Sequence, residues 1–121
     1  MIFEKESYEI IGVLYEVYNN LGSGFLEIVY KDAIEYEFKS RNILFEREKE
    51  YSVNYKEVEL SHKFYADFVV FDKIILEIKC VKEFSNHHFS QCLNYLKVSE
   101  NRLCILVNFQ DESLIYKRIV L

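Results

Sequence analysis

The expected fold is α/β: a mixed central sheet flanked by helices. Three observations carry that expectation. Apolar residues recur at helical spacing in two stretches before residue 40 and again from about 86 to 99. Between and after them lie runs rich in Val, Ile, Phe and Tyr that read as strands. There is no proline, and the glycines are only Gly12, Gly22 and Gly24, so nothing divides residues 1–121 into more than one domain.

In order, Ile10, Ile11, Leu14, Val17, Tyr18 and Leu21 mark a first helix, expected to begin near Ser7 and to end at Gly22. After Gly22-Ser23-Gly24, a second amphipathic helix carries Leu26, Val29, Tyr30, Ala33, Ile34 and Phe38 inward. Lys31, Asp32, Glu35 and Lys39 form its solvated stripe. Phe45, Tyr51, Val53 and Tyr55 alternate with polar residues, as in a half-exposed strand. Lys63–Phe71 and Ile74–Cys80 are strand-like and are joined through Asp72-Lys73, which suggests a hairpin. The second run is apolar on both faces apart from Glu77 and Lys79, the pattern of a covered central strand. Asn86–Ser99 reads as a helix with Phe89, Cys92, Leu93 and Leu96 inward. Leu103–Phe109 reads as a buried strand and Leu114–Val120 as an edge strand. The order is ααβββαββ.

Composition narrows the function. The 121 residues carry 15 basic and 20 acidic side chains, a formal charge of −5, which argues against a protein that coats nucleic acid by bulk charge. It leaves room for an enzyme that visits nucleic acid, because a local patch or bound ions can invert the field at a cleft. With 17% aromatic residues the chain is not of the disordered class. No apolar run approaches the roughly 20 residues of a membrane span, and no apolar stretch follows Met1–Glu6 as it would in a signal peptide. No membrane association and a cytoplasmic location are therefore expected. Cys80, Cys92 and Cys104 show no C-x-x-C spacing and read as small buried hydrophobes.

Glu77 and Lys79 are the informative residues. Charges inside Ile74-Ile75-Leu76-Glu77-Ile78-Lys79 are costly in a covered strand, and such charges tend to mark sites. Alternation puts both on one face, with Ile78 on the other. Asp67 likewise interrupts an apolar run. A two-residue turn at Asp72-Lys73 would pair Phe71 with Ile74 and Asp67 with Ile78, on the wrong face to meet Glu77. A shared site therefore requires a three-residue connection or a bulge near Asp67. Two carboxylates and an ammonium in one pocket suit Mg²⁺ or Mn²⁺ held against a phosphate, with Lys79 positioning water or offsetting charge.

Asp67 followed by Glu77-Ile78-Lys79 on the next strand resembles the signature of the PD-(D/E)XK nuclease superfamily, with Ala66 in place of the proline. Gly24-Phe25-Leu26-Glu27-Ile28-Val29-Tyr30 is similar to the defining run of its GxxExxY branch. His88-Phe89-Ser90-Gln91, Tyr95-Leu96, Leu106-Val107-Asn108-Phe109 and Lys117-Arg118-Ile119 resemble that branch further on. The resemblance implies a restriction-endonuclease-like core and a metal held by Asp67, Glu77 and the Ile78 carbonyl, with Glu27 as an added ligand or water-orienting group. It implies Lys79 as the catalytic lysine, and Gln91, Tyr95, His88 and Tyr30 along the cleft. It also implies that a partner protein or homodimer helps to hold a duplex.

Plainer readings stand beside these. Glu27 is equally a favourable charge in a helix's first turn. Tyr30 reads more naturally as a core or cleft-wall aromatic, and the polar trio His88, Gln91 and Tyr95 as a solvated helix face. His87 and His88, adjacent on a helix, diverge too far for a zinc pair. The expectation is a metal-dependent nuclease acting on nucleic acid, DNA first. The alternatives are a binding module that keeps the nuclease-like fold, or another phosphate-ester hydrolase using the same metal site.

Overall fold

A computed structural model describes residues 1–121. The elements are α1 (Glu4–Leu21), α2 (Glu27–Ser40), β1 (Phe45–Tyr55), β2 (Val58–Val70), β3 (Ile74–Lys79), α3 (Asn86–Ser99), β4 (Leu103–Asn108) and β5 (Ile115–Val120). Their order is the expected one. The five strands form one sheet in sequence order; β3 and β4 run parallel, and the other neighbours are antiparallel. The parallel pair needs a crossover, and α3 supplies it.

The helices cover both faces. Ile10, Val13, Leu14 and Val17 of α1 and Tyr30, Ile34 and Phe38 of α2 pack on Phe68, Val70, Leu76, Ile78, Ile105 and Val107. On the other face, Cys92, Tyr95 and Leu96 of α3 meet Ala66, Val69, Ile75, Cys104 and Leu106. Strand β3 is buried along its length except at Lys79, which is half-buried, so its charges do sit in a covered strand. No helix is long and apolar enough to cross a membrane.

Two boundaries and one inward-facing position differ from expectation. Helix α1 begins at Glu4, and Ser7 is buried within it, its N–H donating to the Phe3 carbonyl at 2.8 Å. Strand β2 begins at Val58 instead of Lys63, because Val58–His62 forms a hairpin arm exposed on both faces and so carries no apolar alternation. On α3, Leu93 points outward and Tyr95 takes the core position. Cys92, Tyr95 and Leu96 share one stripe at spacings of three and four, and Leu93 lies off it.

Candidate active site

The connection between β2 and β3 is three residues, Phe71–Lys73. Phe71 and Asp72 both adopt left-handed backbone, at φ 56° and 58°. Val70 therefore faces Ile74, Val69 faces Ile75 and Phe68 faces Leu76; continuing the count brings Asp67 opposite Glu77. The backbone ladder stops after Phe68 and Leu76, and carboxylates take over. The Asp67 N–H donates to Glu77 Oε1 at 2.8 Å, and the Ile78 N–H donates to Asp67 Oδ2 at 2.8 Å. The two strands are held apart by the side chains that interrupt them.

A second irregularity lies at the same level. Phe45 and Arg47 of β1 face α2, and Arg47 bonds Asp32 at 2.8 Å. Tyr51, four residues on and so on the same face by plain alternation, packs instead on the α3 side. On β2, Phe68 and Val70 face α2, but Phe64 and Ala66 join the α3 cluster. Both strands exchange faces between these points, at Glu48 and Asp67. Glu48 sits in left-handed backbone at φ 53°, and the pairing steps from Arg47–Phe68 to Lys49–Ala66. The inversion frees the Asp67 side chain from either core.

Glu77 is 1% exposed and Asp67 7%. Burial, and after it the Asp67 charge, pushes the Glu77 carboxyl well above the usual carboxylate range. Lys79 Nζ donates to Gln91 Oε1 at 3.0 Å, so α3 positions the ammonium at the end of β3. Buried Asn108 fixes the chain beyond it: its amide donates to the Val81 carbonyl at 2.7 Å, and its Oδ1 accepts from the Val81 and Gln110 N–H groups at 3.1 Å each. The Phe109 N–H donates to the Lys79 carbonyl at 3.0 Å.

Lys31 completes the cluster. Its Nζ lies 2.8 Å from Asp67 Oδ1, 3.4 Å from Glu48 and 3.5 Å from Glu27, with the side chain 13% exposed. Burial works against this ammonium, but the hydrogen bond and charge of Asp67, reinforced by Glu48 and Glu27, raise its pKa well above the ordinary value.

A covered strand bearing Glu77 and Lys79, an opposed Asp67 and a parallel crossover through α3 make one architecture, and a family model, the PD-(D/E)XK nuclease superfamily, matches it over residues 4–119. The chain belongs to this superfamily. A search of curated proteins gave no match. Among solved structures the chain resembles the crystal structure of SSO0001, with TM-score 0.61 and 23% identity over 76% of this chain and 48% of that one. It also resembles an alkaline exonuclease from Laribacter hongkongensis, with TM-score 0.53 and 11% identity over 99% of this chain and 71% of that one. The chain thus spans about half the length of SSO0001. At these identities the likeness is one of fold, a five-stranded mixed sheet with flanking helices like those of restriction-endonuclease-like nucleases.

Nucleases of this superfamily generally use divalent metals. The donors here are hard oxygens of the right kind, and they already surround a cation. They are spaced for an ammonium: the 2.8–3.5 Å contacts to Lys31 exceed the about 2.0–2.1 Å of a Mg–O bond. No three His, Cys, Asp or Glu side chains form a ready-made cage. Of the expected set, Asp67, Glu77, the Ile78 carbonyl and Glu27, two members, Asp67 and Glu27, contact Lys31.

Lys31 was expected on the solvated stripe of α2, and the structure places it, largely covered, among the carboxylates of Asp67, Glu48 and Glu27. Its spacing of four from Glu27 was the available signal, since residues i and i+4 share a helix face. Glu48 and Asn108 carry no such signal; Glu48 enters through strand register and Asn108 through its loop contacts. Tyr95 is 6% exposed, with its ring 6.1 Å from that of Phe64, so it belongs mostly to the core. His88 turns back to cap α3, Nδ1 accepting from the Ser85 N–H at 3.0 Å. A cleft of about 370 Å³ instead takes in His87, with Gln91, Tyr95, His62, Lys63 and Phe64.

Tyr30 is wholly buried and does not reach the cleft. Its hydroxyl donates to the Gly22 carbonyl at 2.6 Å and accepts from the Phe25 N–H at 3.3 Å, clamping the loop that launches Glu27. Gly22 and Gly24 hold φ 65° and 107° there, which explains the paired glycines. Tyr30→Phe should cost about 1 kcal/mol, read from urea denaturation, and should speed amide exchange at Phe25. Unchanged exchange would remove the clamp.

Proposed function

We propose that this chain is a divalent-metal-dependent nuclease of the GxxExxY branch, acting on DNA. The observation that carries the reading is the parted β2–β3 edge, where Asp67 and Glu77 meet beside Lys79. Asp67, Glu77 and the Ile78 carbonyl are the proposed ligands, with Glu27 nearby. The Ile78 N–H points to Asp67, and in an extended strand the carbonyl of the same residue points to the same side. Bound there, Mg²⁺ or Mn²⁺ would polarise a phosphodiester oxygen and lower the pKa of a water. Lys79 faces the phosphate, offsets charge gathering on its oxygens and orients the attacking water; Gln91 keeps the ammonium in place. The hydrolysis forms one P–O bond from water and breaks one P–O ester bond. The cleft with His62, Lys63 and His87 supplies cationic and polar contacts along the backbone, and Phe64 offers a ring beside them.

The test uses clean protein, Mn²⁺ and single-stranded, duplex and branched DNA. Lys79→Ala should reduce cleavage on the order of a hundredfold or more while calorimetric Mn²⁺ binding persists. Asp67→Ala should lose both. Equal trace cleavage by wild type and Lys79→Ala would assign that trace to contamination and overturn the reading. A binding module without turnover is the second reading, and one observation favours it: an ammonium already neutralises the acidic cleft.

A further inference from the structure

We infer that Lys31 and the divalent ion are alternative partners of Asp67, so that the metal binds only when the Lys31 ammonium lets go of that carboxylate. The inference rests on the proposed metal dependence and adds a residue that neither the family match nor the motif assigns.

The geometry of Asp67 carries it. One oxygen, Oδ2, is held by the Ile78 N–H at 2.8 Å, a backbone bond that keeps the strands in register. The other, Oδ1, is the oxygen free to ligate, and Lys31 Nζ occupies it at 2.8 Å. A metal on Oδ1 would share that oxygen with an ammonium in a region largely closed to water, where repulsion between cations is poorly screened. Glu77 Oε1 is committed to the Asp67 N–H at 2.8 Å, so that oxygen cannot take the place of Asp67 Oδ1.

The release route is short. Glu27 and Glu48, the other two partners of Lys31, have side chains 40% and 50% exposed and lie 3.5 and 3.4 Å from Nζ. They form the rim. An ammonium that leaves Asp67 keeps both rim carboxylates within reach, so it moves toward solvent without losing its ion pairs. Lysine has the flexible stem and rotatable donors this requires. The same movement leaves the ammonium at the mouth of the cleft, facing incoming phosphate.

The experiment compares wild type with Lys31→Met and Lys31→Gln. Calorimetric Mn²⁺ affinity should rise about tenfold or more in both variants, as when the competent form is about a tenth of the wild-type population. Reductive methylation read by peptide mass spectrometry should find Lys31 protected in metal-free wild type and several-fold more reactive at saturating Mg²⁺. Equal or weaker affinity in the variants, or Lys31 reactivity unchanged by metal, overturns the inference and leaves the nuclease reading standing. If neither wild type nor the variants bind millimolar Mn²⁺, the metal-dependent reading itself fails. Should the variants not fold, the wild-type labelling decides alone.

Discussion

Glu77→Gln is expected to lose metal-supported cleavage, on the order of a hundredfold or more, while making the metal-free protein more stable at neutral pH. The two effects have one cause. Glu77 is 1% exposed, and its burial, followed by the charge of Asp67, raises its pKa well above the usual carboxylate range. Over that interval the folded chain holds a proton that the unfolded chain has released. The stability this gives is complete below the unfolded pKa and drains away as the pH climbs through the folded one. Glutamine keeps an oxygen to accept the Asp67 N–H and has no charge to desolvate, so the pH dependence from this position should vanish. A gain of about 1 kcal/mol at pH 8 is the usual scale for relieving a site built for function. Urea melts of both proteins without metal from pH 5 to pH 9 measure it. Parallel curves would mean that Glu77 is ionised in the native state and that its burial is tolerated for another reason.

Phe109→Ala should be the most damaging single truncation in the core. Phe109 is fully buried, stacks on Tyr30 with ring centroids 4.3 Å apart and lies 6.3 Å from the Tyr18 ring. Removing it leaves a cavity under the loop that launches α2 and beside the end of β3, at a cost of about 3–5 kcal/mol. The melting temperature should fall on the order of 10–15 °C. Leu60→Ala, at a position 40% exposed on the β1–β2 arm, is the control and should change stability by no more than about 0.5 kcal/mol. A similar loss in both variants would show that the arm is structural in a way its exposure does not suggest. Because the Phe109 N–H to Lys79 carbonyl bond is made by the backbone, it survives the truncation. Any additional loss of cleavage, measured well below the new melting point, then reports on the α2 loop and not on the placement of Lys79.

The superfamily signature was legible because it is a local conflict. Charges at Glu77 and Lys79 in a run otherwise apolar announce themselves without any knowledge of neighbours. The need for an irregular connection between β2 and β3 was also legible, since strand alternation is a parity rule: only an extra residue, here Phe71 in the loop, brings Asp67 round to Glu77. Helix α3, expected at about Asn86–Ser99, was legible because apolar residues recur through it at helical spacing.

What escaped has a common character. The exposed arm at Val58–His62 lacks a buried face, so periodicity is silent although the backbone pairs. The resemblance put Tyr30 along the cleft, whereas its own pattern read as core or cleft wall; it is core, and its hydroxyl answers to the Gly22 carbonyl, a partner set by how the loop closes. His88 was expected along the cleft, but a helix cap claims it, and His87 lines the cleft instead.

The order of residues alone settled the element sequence, the covered β3 strand and the three charged positions Asp67, Glu77 and Lys79, since each follows from patterning within a few residues. Tertiary structure decided that Glu48 and Lys31 join them, the sequence showing only that Lys31 shares a helix face with Glu27. Their approach depends on the pleat inverting at Glu48 and Asp67 and on α2 packing against this part of the sheet. Side chains from four separate elements, α2, β1, β2 and β3, meet there, and no spacing along the chain encodes a distance across four.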